Sequence, residues 1–158
     1  MPDRTRRIAQ ITLDERTVVR RNEDIEHERA VAIADLLHEN SFAPMSGRKG
    51  PFHLHLAIEE SRLALDIRDD KDRPIERVLL PLSAFRGIVK DYFLICESYY
   101  TAVRQANPAR IEAIDMGRRA LHDEGSELLR DQLGERVTVD FSTARRLFTL
   151  LCVLHIRA

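Results

Sequence analysis

The sequence predicts an α+β fold in which a small antiparallel sheet packs against four or five helices, two of them largely buried. Three observations carry this prediction. Apolar residues alternate with polar ones between residues 52 and 82, and two strongly apolar helical stretches span 83–104 and 143–156. The predicted element order β, α, βββ, α, α, β, α also lacks the regular alternation of a doubly wound sheet. With 158 residues, the chain fits a single domain over residues 1–158.

The strand pattern is clearest in the middle of the chain. Three segments alternate and are separated by polar turns: 52–58, 63–67 and 75–82. They predict an antiparallel meander with one face toward water. A first strand over 6–13, with Ile11 and Leu13 facing inward and Ile8 facing outward, and a last strand over 136–141 complete the predicted sheet.

The stretch 83–104 is the predicted centre of the fold. Its large apolar residues recur at three- and four-residue steps, and residues 92–96 are apolar all round, which predicts a helix buried in the core. Ser83 is the predicted N-cap. Phe93 should then be almost fully buried.

The other helices follow from caps and periodicity. Helix 24–40, capped by Asp24 or Asn22, is preceded by a charged connector at 16–23 and followed by a loop over 42–51. A long helix beginning at Pro108 should end at Gly134.

Two residues in the long helix predict an interruption. Gly125 lets the backbone turn and Ser126 then caps a new helical start. The closing helix, 143–156, is the second one predicted to be buried, with Leu151 at its centre.

Charge and cysteine content limit the function classes. The formal net charge is −1, so no overall field attracts nucleic acid or an anionic membrane. Cys96 and Cys152 lie in apolar runs and read as free thiols in a reducing compartment. The longest apolar run, 150–154, is far too short to span a bilayer, and the amino terminus has no apolar signal segment. We therefore expect a cytoplasmic protein with no membrane partner.

No catalytic motif stands out, and we predict no catalytic residues and no cofactor. His53 and His55 have the spacing of a shared metal site, but a third local ligand is lacking, so no metal is predicted. Cys96 has apolar neighbours, which favours a core residue over a nucleophile. The chain contains no glycine-rich phosphate loop and no hydrolase signature.

The best polar cluster spans residues 115–126. Six side chains are the candidate partner- or ligand-binding residues: Asp115, Arg118, Arg119, His122, Glu124 and Ser126. The first four share one helix face, and the predicted helix start at Ser126 would offer free N–H groups to an anion. The alternative is an ion pair and a cap on a solvated surface.

Five segments together resemble an uncharacterised alphaproteobacterial protein family. They are ENSFAP (39–44), KDYFLICESYY (90–100), IEAIDMGRR (111–119), EGSELL (124–129) and TARRLFTLLCVLH (143–155). The resemblance covers nearly the whole chain. It implies a bacterial cytoplasmic protein of one domain and assigns no activity, cofactor or catalytic residue.

Three functional hypotheses follow. The first is a non-enzymatic regulatory or adaptor protein that binds another protein, whether cytoskeletal, metabolic or translational, with self-association also open. The second is a small enzyme or a phosphate or anion binder that uses the cluster at 115–126. The third is RNA binding, disfavoured by the net charge, which requires one continuous patch. That patch would consist of Arg118, Arg119, Arg145 and Arg146. A pocket on which the cluster converges would favour the second hypothesis.

Overall fold

A four-stranded mixed sheet, a two-stranded sheet and four α-helices form the described part of the chain, which confirms the α+β class. The computed structural model describes residues 5–15 and 23–155. The strands are β1 (Ile8–Leu13), β2 (Phe42–Pro44), β3 (Phe52–Glu59), β4 (Arg62–Arg68), β5 (Pro74–Pro81) and β6 (Val137–Val139). The helices are α1 (Glu23–His38), α2 (Arg86–Arg104), α3 (Pro108–Leu133) and α4 (Phe141–His155). Most of the predicted connector at 16–23, the Asn22 cap and the end of the closing helix lie outside the described residues.

The main sheet has the order β1-β3-β4-β5, and its β3-β4-β5 part is the predicted antiparallel meander. The expectation of a wholly antiparallel sheet is wrong, because β1 pairs with β3 in parallel. The chain returns from β1 to β3 by way of α1, and a helical crossover of this kind makes the two strands it joins parallel.

A bulge in β1 turns Ile8 toward the core. The β1–β3 register shifts directly after Ile8, so Ile8 pairs with Phe52 while Ile11 pairs with Leu54. Ile11 and Leu13 pack against the core as predicted, and Ile8 is fully buried beside them. In a regular strand, neighbouring side chains alternate between the two faces, which would place Ile8 on the outer face. The bulge adds one residue after Ile8, so Ile8 and Ile11 face the same side.

The last strand does not join the main sheet. β6 pairs instead with β2, in the segment that the sequence predicts as a loop. Phe42 lies opposite Val139 and Pro44 opposite Val137. A three-residue strand ending in proline is too short for the alternation on which strand prediction depends.

Of the two helices predicted to be buried, α4 is and α2 is not. Ten of the fifteen residues of α4 are buried, whereas only three of the nineteen in α2 are. Leu151 is fully buried as predicted, but Phe93 is only partly buried and Leu94 is 54% exposed. The sheet, α1 and α3 surround α4, while α2 packs mainly on α3. No helix within the described ranges is long and apolar enough to cross a membrane.

Two predicted helix boundaries are also corrected. Ser83 lies in a short 3-10 turn, Leu82–Ala84, and α2 then begins at Arg86 without a side-chain cap. α3 begins at Pro108 as predicted, with Asn107 accepting a hydrogen bond as its cap, and ends at Gly134.

α3 runs without interruption through Gly125 and Ser126, so the predicted break is wrong. A methyl group added to Gly125 would overlap the ring of Phe148 on α4. The hydroxyl of Ser126 donates to the carbonyl of His122 at 2.6 Å and is fully buried. Both residues are small because α3 and α4 approach closely here, not because the helix ends.

We expect Gly125→Ala to lower the free energy of unfolding by about 1–3 kcal/mol, because the added methyl group overpacks the core against Phe148. Gly87 in α2 is the matched control, since a methyl group there meets no other atom within 4 Å. Gly87→Ala should raise stability by roughly 0.5–1 kcal/mol through its better helix propensity. Denaturant unfolding of both variants measures the contrast, and equal gains in the two would contradict the close α3–α4 contact.

Candidate functional site

A cleft of about 390 Å³ lies between α1, α3 and α4. Four arginines line it, and we refer to it as the arginine cleft. Its polar lining includes Glu28 and Asp35 from α1, Arg118, Arg119 and His122 from α3, and Arg145, Arg146 and Thr149 from α4. Half of the candidate residues at 115–126 therefore converge on one cavity.

Helical spacing explains how two helices deliver these side chains to one place. On α3, His122 follows Arg118 by four residues and Arg119 by three. On α4, Thr149 follows Arg145 by four residues and Arg146 by three. His122 and Thr149 then meet across the interface between α3 and α4, with their side chains 2.7 Å apart. The two arginine pairs are brought together because the helices beneath them are packed.

Asp115 holds two of the arginines from behind the cleft. Its Oδ1 accepts hydrogen bonds from Nε and Nη2 of Arg118 at 3.0 and 2.7 Å. Its Oδ2 accepts from Nε of Arg119 at 2.8 Å. The hydrogen bonds from Arg118 are the main reason that the pKa of Asp115 lies below its usual value. Asp115 therefore orients the arginines and is not itself part of the cavity lining.

Arg118 also links three helices at one side of the cleft. Its guanidinium lies 4.4 Å from the centre of the Tyr99 ring, and its Nη1 is 3.9 Å from Oε1 of Glu28. The same Glu28 oxygen accepts a hydrogen bond from the hydroxyl of Tyr100. Burial tends to lower the pKa of Arg118, but the hydrogen bonds to Asp115 and the charges of nearby acidic groups, Glu28 among them, together outweigh it, and the pKa is raised. Arg118 is thus permanently charged and fixed in place.

His122 is buried at the base of the cleft between Tyr92 and Phe148, whose ring centres are 5.3 and 5.4 Å from its own. The hydroxyl of Thr149 donates to the carbonyl of Arg145, so it accepts from His122, and the ring proton lies on Nε2. Burial, followed by the charge of Arg145, lowers the pKa of His122 to about 4. The ring is therefore neutral at pH 7, with an unprotonated Nδ1.

Unsatisfied polar atoms concentrate at this cleft. Among the described residues, five buried side-chain atoms have no hydrogen-bond partner. Nδ1 of His122 and Nε of Arg146 belong to cleft-lining residues, and Oδ1 of Asp123 lies 3.8 Å from Nε of Arg145. Three of the five thus lie in or beside one cavity. Nε of Arg146 is a donor that a bound anion can satisfy, whereas the unprotonated Nδ1 of His122 and Oδ1 of Asp123 are acceptors.

The remaining candidates lie elsewhere. Glu124 is exposed and does not line the cleft. Ser126 is fully buried between helices, and because α3 continues through it, its backbone N–H is used within the helix. The predicted anion site at a helix start is therefore absent from this position. Glu28, Asp35 and Thr149 were not predicted, because nothing local in their segments links them to residues 115–126.

A second cavity of about 670 Å³ adjoins the arginine cleft between α1, α2 and α4. We refer to it as the α2 groove. Glu28, Tyr92 and Thr149 line both cavities, so the two lie side by side. The apolar and thiol lining of the groove consists of Ile25, Phe93, Cys96, Tyr100, Cys152 and Val153.

The two histidines on the outer face of the sheet lie beside the carboxylate of Asp72. Oδ1 of Asp72 lies 3.2 Å from Nε2 of His55 and 3.8 Å from Nδ1 of His53. Asp72 also accepts a hydrogen bond from Arg68 at 3.1 Å. Within the described ranges, no group of three histidine, cysteine, aspartate or glutamate side chains is arranged to hold a metal ion.

The fold and the cleft define an α+β protein with an arginine-lined cavity of ligand size. The chain belongs to the uncharacterised protein family UPF0262, whose family model matches residues 5–157. The family membership predicted from the five segments is therefore confirmed.

Several proteins of this family are similar over nearly the full chain. A UPF0262 protein from Paramagnetospirillum magneticum is 57% identical over 157 residues, which cover 99% of each chain. One from Rhodospirillum rubrum is 58% identical over 153 residues, covering 97% of this chain and 94% of the relative. One from Bradyrhizobium sp. is 58% identical over 154 residues, covering 97% and 92%. No solved structure matches this chain.

The buried His122 should make stability depend on pH. Its pKa falls from 6.5 to about 4 on folding, so the unfolded chain binds more protons between these values and stability declines as pH drops through them. We expect the His122 contribution to be about 2 kcal/mol smaller at pH 5 than at pH 7. Denaturant unfolding at pH 5 and pH 7 measures the total change in the free energy of unfolding, to which His122 contributes.

The variant His122→Gln isolates this contribution, because glutamine can still donate to Thr149 and does not titrate. Burial also lowers the pKa of His155, so part of the pH dependence should remain in the variant. An unchanged difference between pH 5 and pH 7 in His122→Gln would contradict a buried neutral imidazole.

Both cysteines should react slowly in the folded protein. Burial raises the pKa of Cys96 to about 11 and that of Cys152 well above its usual value, so thiolate is scarce at pH 7.5. In the folded protein, a colorimetric thiol reagent should label Cys96 slowly and leave Cys152 unlabelled. In denaturant, both thiols should react immediately. The variant Cys152→Ser retains Cys96 alone, so slow labelling of this folded variant assigns the slow phase to Cys96. Fast labelling of native Cys96 would indicate an activated nucleophile instead.

Proposed function

We propose that this protein is a non-enzymatic regulatory protein that binds a small oxyanion, of the phosphate or carboxylate type, in the arginine cleft. One observation carries the proposal: four guanidinium groups converge on one cavity, where the buried Nε–H of Arg146 has no hydrogen-bond acceptor among the described residues. Planar guanidinium groups match the geometry of carboxylates and phosphates.

Arg146 is the strongest candidate for direct contact with the anion. Its Nη1 donates to the carbonyl of Ser142 at 2.9 Å and to the Ser142 hydroxyl, but it has no carboxylate partner among the described residues. Its buried Nε–H has no acceptor within the part of the chain that the structure describes. Leaving such a donor unsatisfied costs about 1–3 kcal/mol, which a bound oxyanion would recover.

The other three arginines differ in how far acidic groups compensate them. Asp115 neutralises much of the charge of Arg118 and Arg119, although the Arg119 side chain remains 70% exposed. Arg145 has Asp123 within 3.8 Å. Among the described residues of the cleft, Arg146 is thus the arginine without a carboxylate partner, and the other three arginines supply N–H groups that can orient a ligand. This combination suits a small ligand of low charge.

Binding is favoured over catalysis by the state of the base at the cleft. His122 is held neutral with a pKa of about 4, and a base this weak abstracts protons poorly at pH 7. Its partner Thr149 already donates its hydroxyl proton to a backbone carbonyl, so it is not arranged as a nucleophile.

A regulatory role through ligand binding is better supported than a protein-docking face. The large exposed apolar side chains are spread over four segments: Val31 on α1, Met45 after β2, Leu94 and Val103 on α2, and Met116 on α3. Single apolar residues of this kind are ordinary on a protein surface. We also propose a cytoplasmic location, supported by the two free thiols.

RNA is the second candidate, because the four arginines that it requires line one cavity. The acidic residues of the same cavity argue against it. Glu28 and Asp35 would face a chain of phosphates with like charge. A small anion avoids this repulsion, so we give it preference.

The decisive experiment is titration calorimetry with inorganic phosphate at low ionic strength. Arg146→Met should weaken phosphate binding by about tenfold or more, since charge-assisted hydrogen bonds are worth roughly 1.5–3 kcal/mol. Arg110→Met removes the same charge roughly two helical turns before Arg118, outside the cleft lining, and should leave binding unchanged.

Both variants should keep the wild-type melting temperature within a few degrees. Equal phosphate affinity in wild type and Arg146→Met would overturn the assignment of the cleft. Tight binding of a single-stranded RNA oligonucleotide, lost in Arg146→Met and without measurable phosphate binding, would favour the second candidate.

A further inference from the structure

We propose that the ligand is an amphipathic organic anion, whose oxyanion lies in the arginine cleft and whose aryl or short alkyl body lies in the α2 groove. This inference rests on the proposed function and adds the chemical class of the ligand. It follows from the adjacency of the two cavities, the lining of the groove and the charges at its rim.

The two cavities adjoin at shared side chains. Tyr92 and Thr149 belong to both cavities, and Glu28 borders both from α1. The cleft of about 390 Å³ accommodates an oxyanion group, and the groove of about 670 Å³ accommodates a larger attached group. Ligand pockets in proteins typically have volumes of about 300–1,000 Å³, so both compartments are of useful size.

The inner surface of the groove is suited to an uncharged body. Phe93 and Tyr100 supply aromatic surface, and Val153 supplies aliphatic surface. Cys96 and Cys152 are neutral thiols here, because burial raises the pKa of each. A ring or short chain placed against these side chains would lose apolar surface to water, which favours binding.

The rim of the groove carries an acidic excess. Asp24, Glu28 and Glu97 line it, and Arg104 is the cation among the lining residues. Arg104 lies 3.5 Å from Asp24, and Glu28 lies 3.9 Å from Arg118. Glu97 therefore carries the remaining negative charge. A second anionic group at the far end of the ligand would meet this negative field. The groove should thus select ligands with one anionic end.

Three probes separate these contributions in titration calorimetry: inorganic phosphate, phenyl phosphate and 4-carboxyphenyl phosphate. We expect phenyl phosphate to bind about tenfold or more tightly than inorganic phosphate, because its ring is buried in the groove. The added carboxylate of 4-carboxyphenyl phosphate should remove much of this gain. Arg146→Met should weaken the binding of all three probes.

Blocking the groove provides the matched test. Thr101 is an exposed residue of α2 that lines the groove, and Thr101→Trp should fill the space. In this variant, phenyl phosphate should bind within about twofold of inorganic phosphate, whose own affinity stays unchanged. Ser98→Trp places the same side chain on α2 outside the groove lining and should behave like wild type. Melting curves identify any variant that fails to fold, and for such a variant the comparison of the three probes on wild type decides alone.

The outcomes distinguish the two proposals. If wild type binds phosphate but gains nothing from the phenyl group, the groove is not a ligand subsite and this inference is overturned while the proposed function stands. If phenyl phosphate binds more tightly but folded Thr101→Trp retains that gain, the body lies elsewhere and the inference is again overturned. If none of the probes binds, the proposed function fails together with it.

Discussion

The close packing of α3 on α4 is the contact on which the rest of the structure depends. Gly125 lets the Phe148 ring approach the α3 backbone, and the same ring lies 5.4 Å from that of His122. His122 and Thr149 meet at this interface, and the two arginine pairs stand beside them. A change of one methyl group at Gly125 would therefore displace the cleft as well as the core, because tightly packed interiors transmit strain. The stability of the fold and the geometry of the site share one contact.

The four arginines of the cleft differ in how far nearby carboxylates neutralise their charge. Arg118 is fixed by Asp115 and lies beside Glu28, so its role is to organise three helices. Arg146 has hydrogen bonds to Ser142 and no carboxylate partner in the described chain. Four arginines that look alike in the sequence thus have separate roles. The overall charge of −1 conceals this, because a near-zero sum says nothing about where individual charges are paired.

Local patterns predicted the meander and most helix positions, and failed where a residue's role depended on a distant partner. The alternation over residues 52–67 identified β3 and β4, since each such pattern is complete within one strand. Gly125 and Ser126 look like a helix break, but the distant Phe148 decides their role. The apolar run around Phe93 predicted burial on all sides, and α2 instead lies at the edge of the helical layer. For the site, spacing placed Arg118, Arg119 and His122 on one face, but nothing in the sequence located the α1 residues opposite them.

The cleft lies in a region of incomplete stabilisation. Buried polar atoms without partners reduce stability, and among the described residues two of the five such atoms, on Arg146 and His122, belong to the lining of the cleft. The main sheet and α4 supply the burial that offsets this cost. A ligand that accepts from Arg146 restores the missing interaction and stabilises the folded state in proportion to its affinity. An arrangement that is unfavourable for the isolated chain is therefore favourable for a protein whose working state is ligand-bound, and this links the energetics of the core to the function proposed for the cleft.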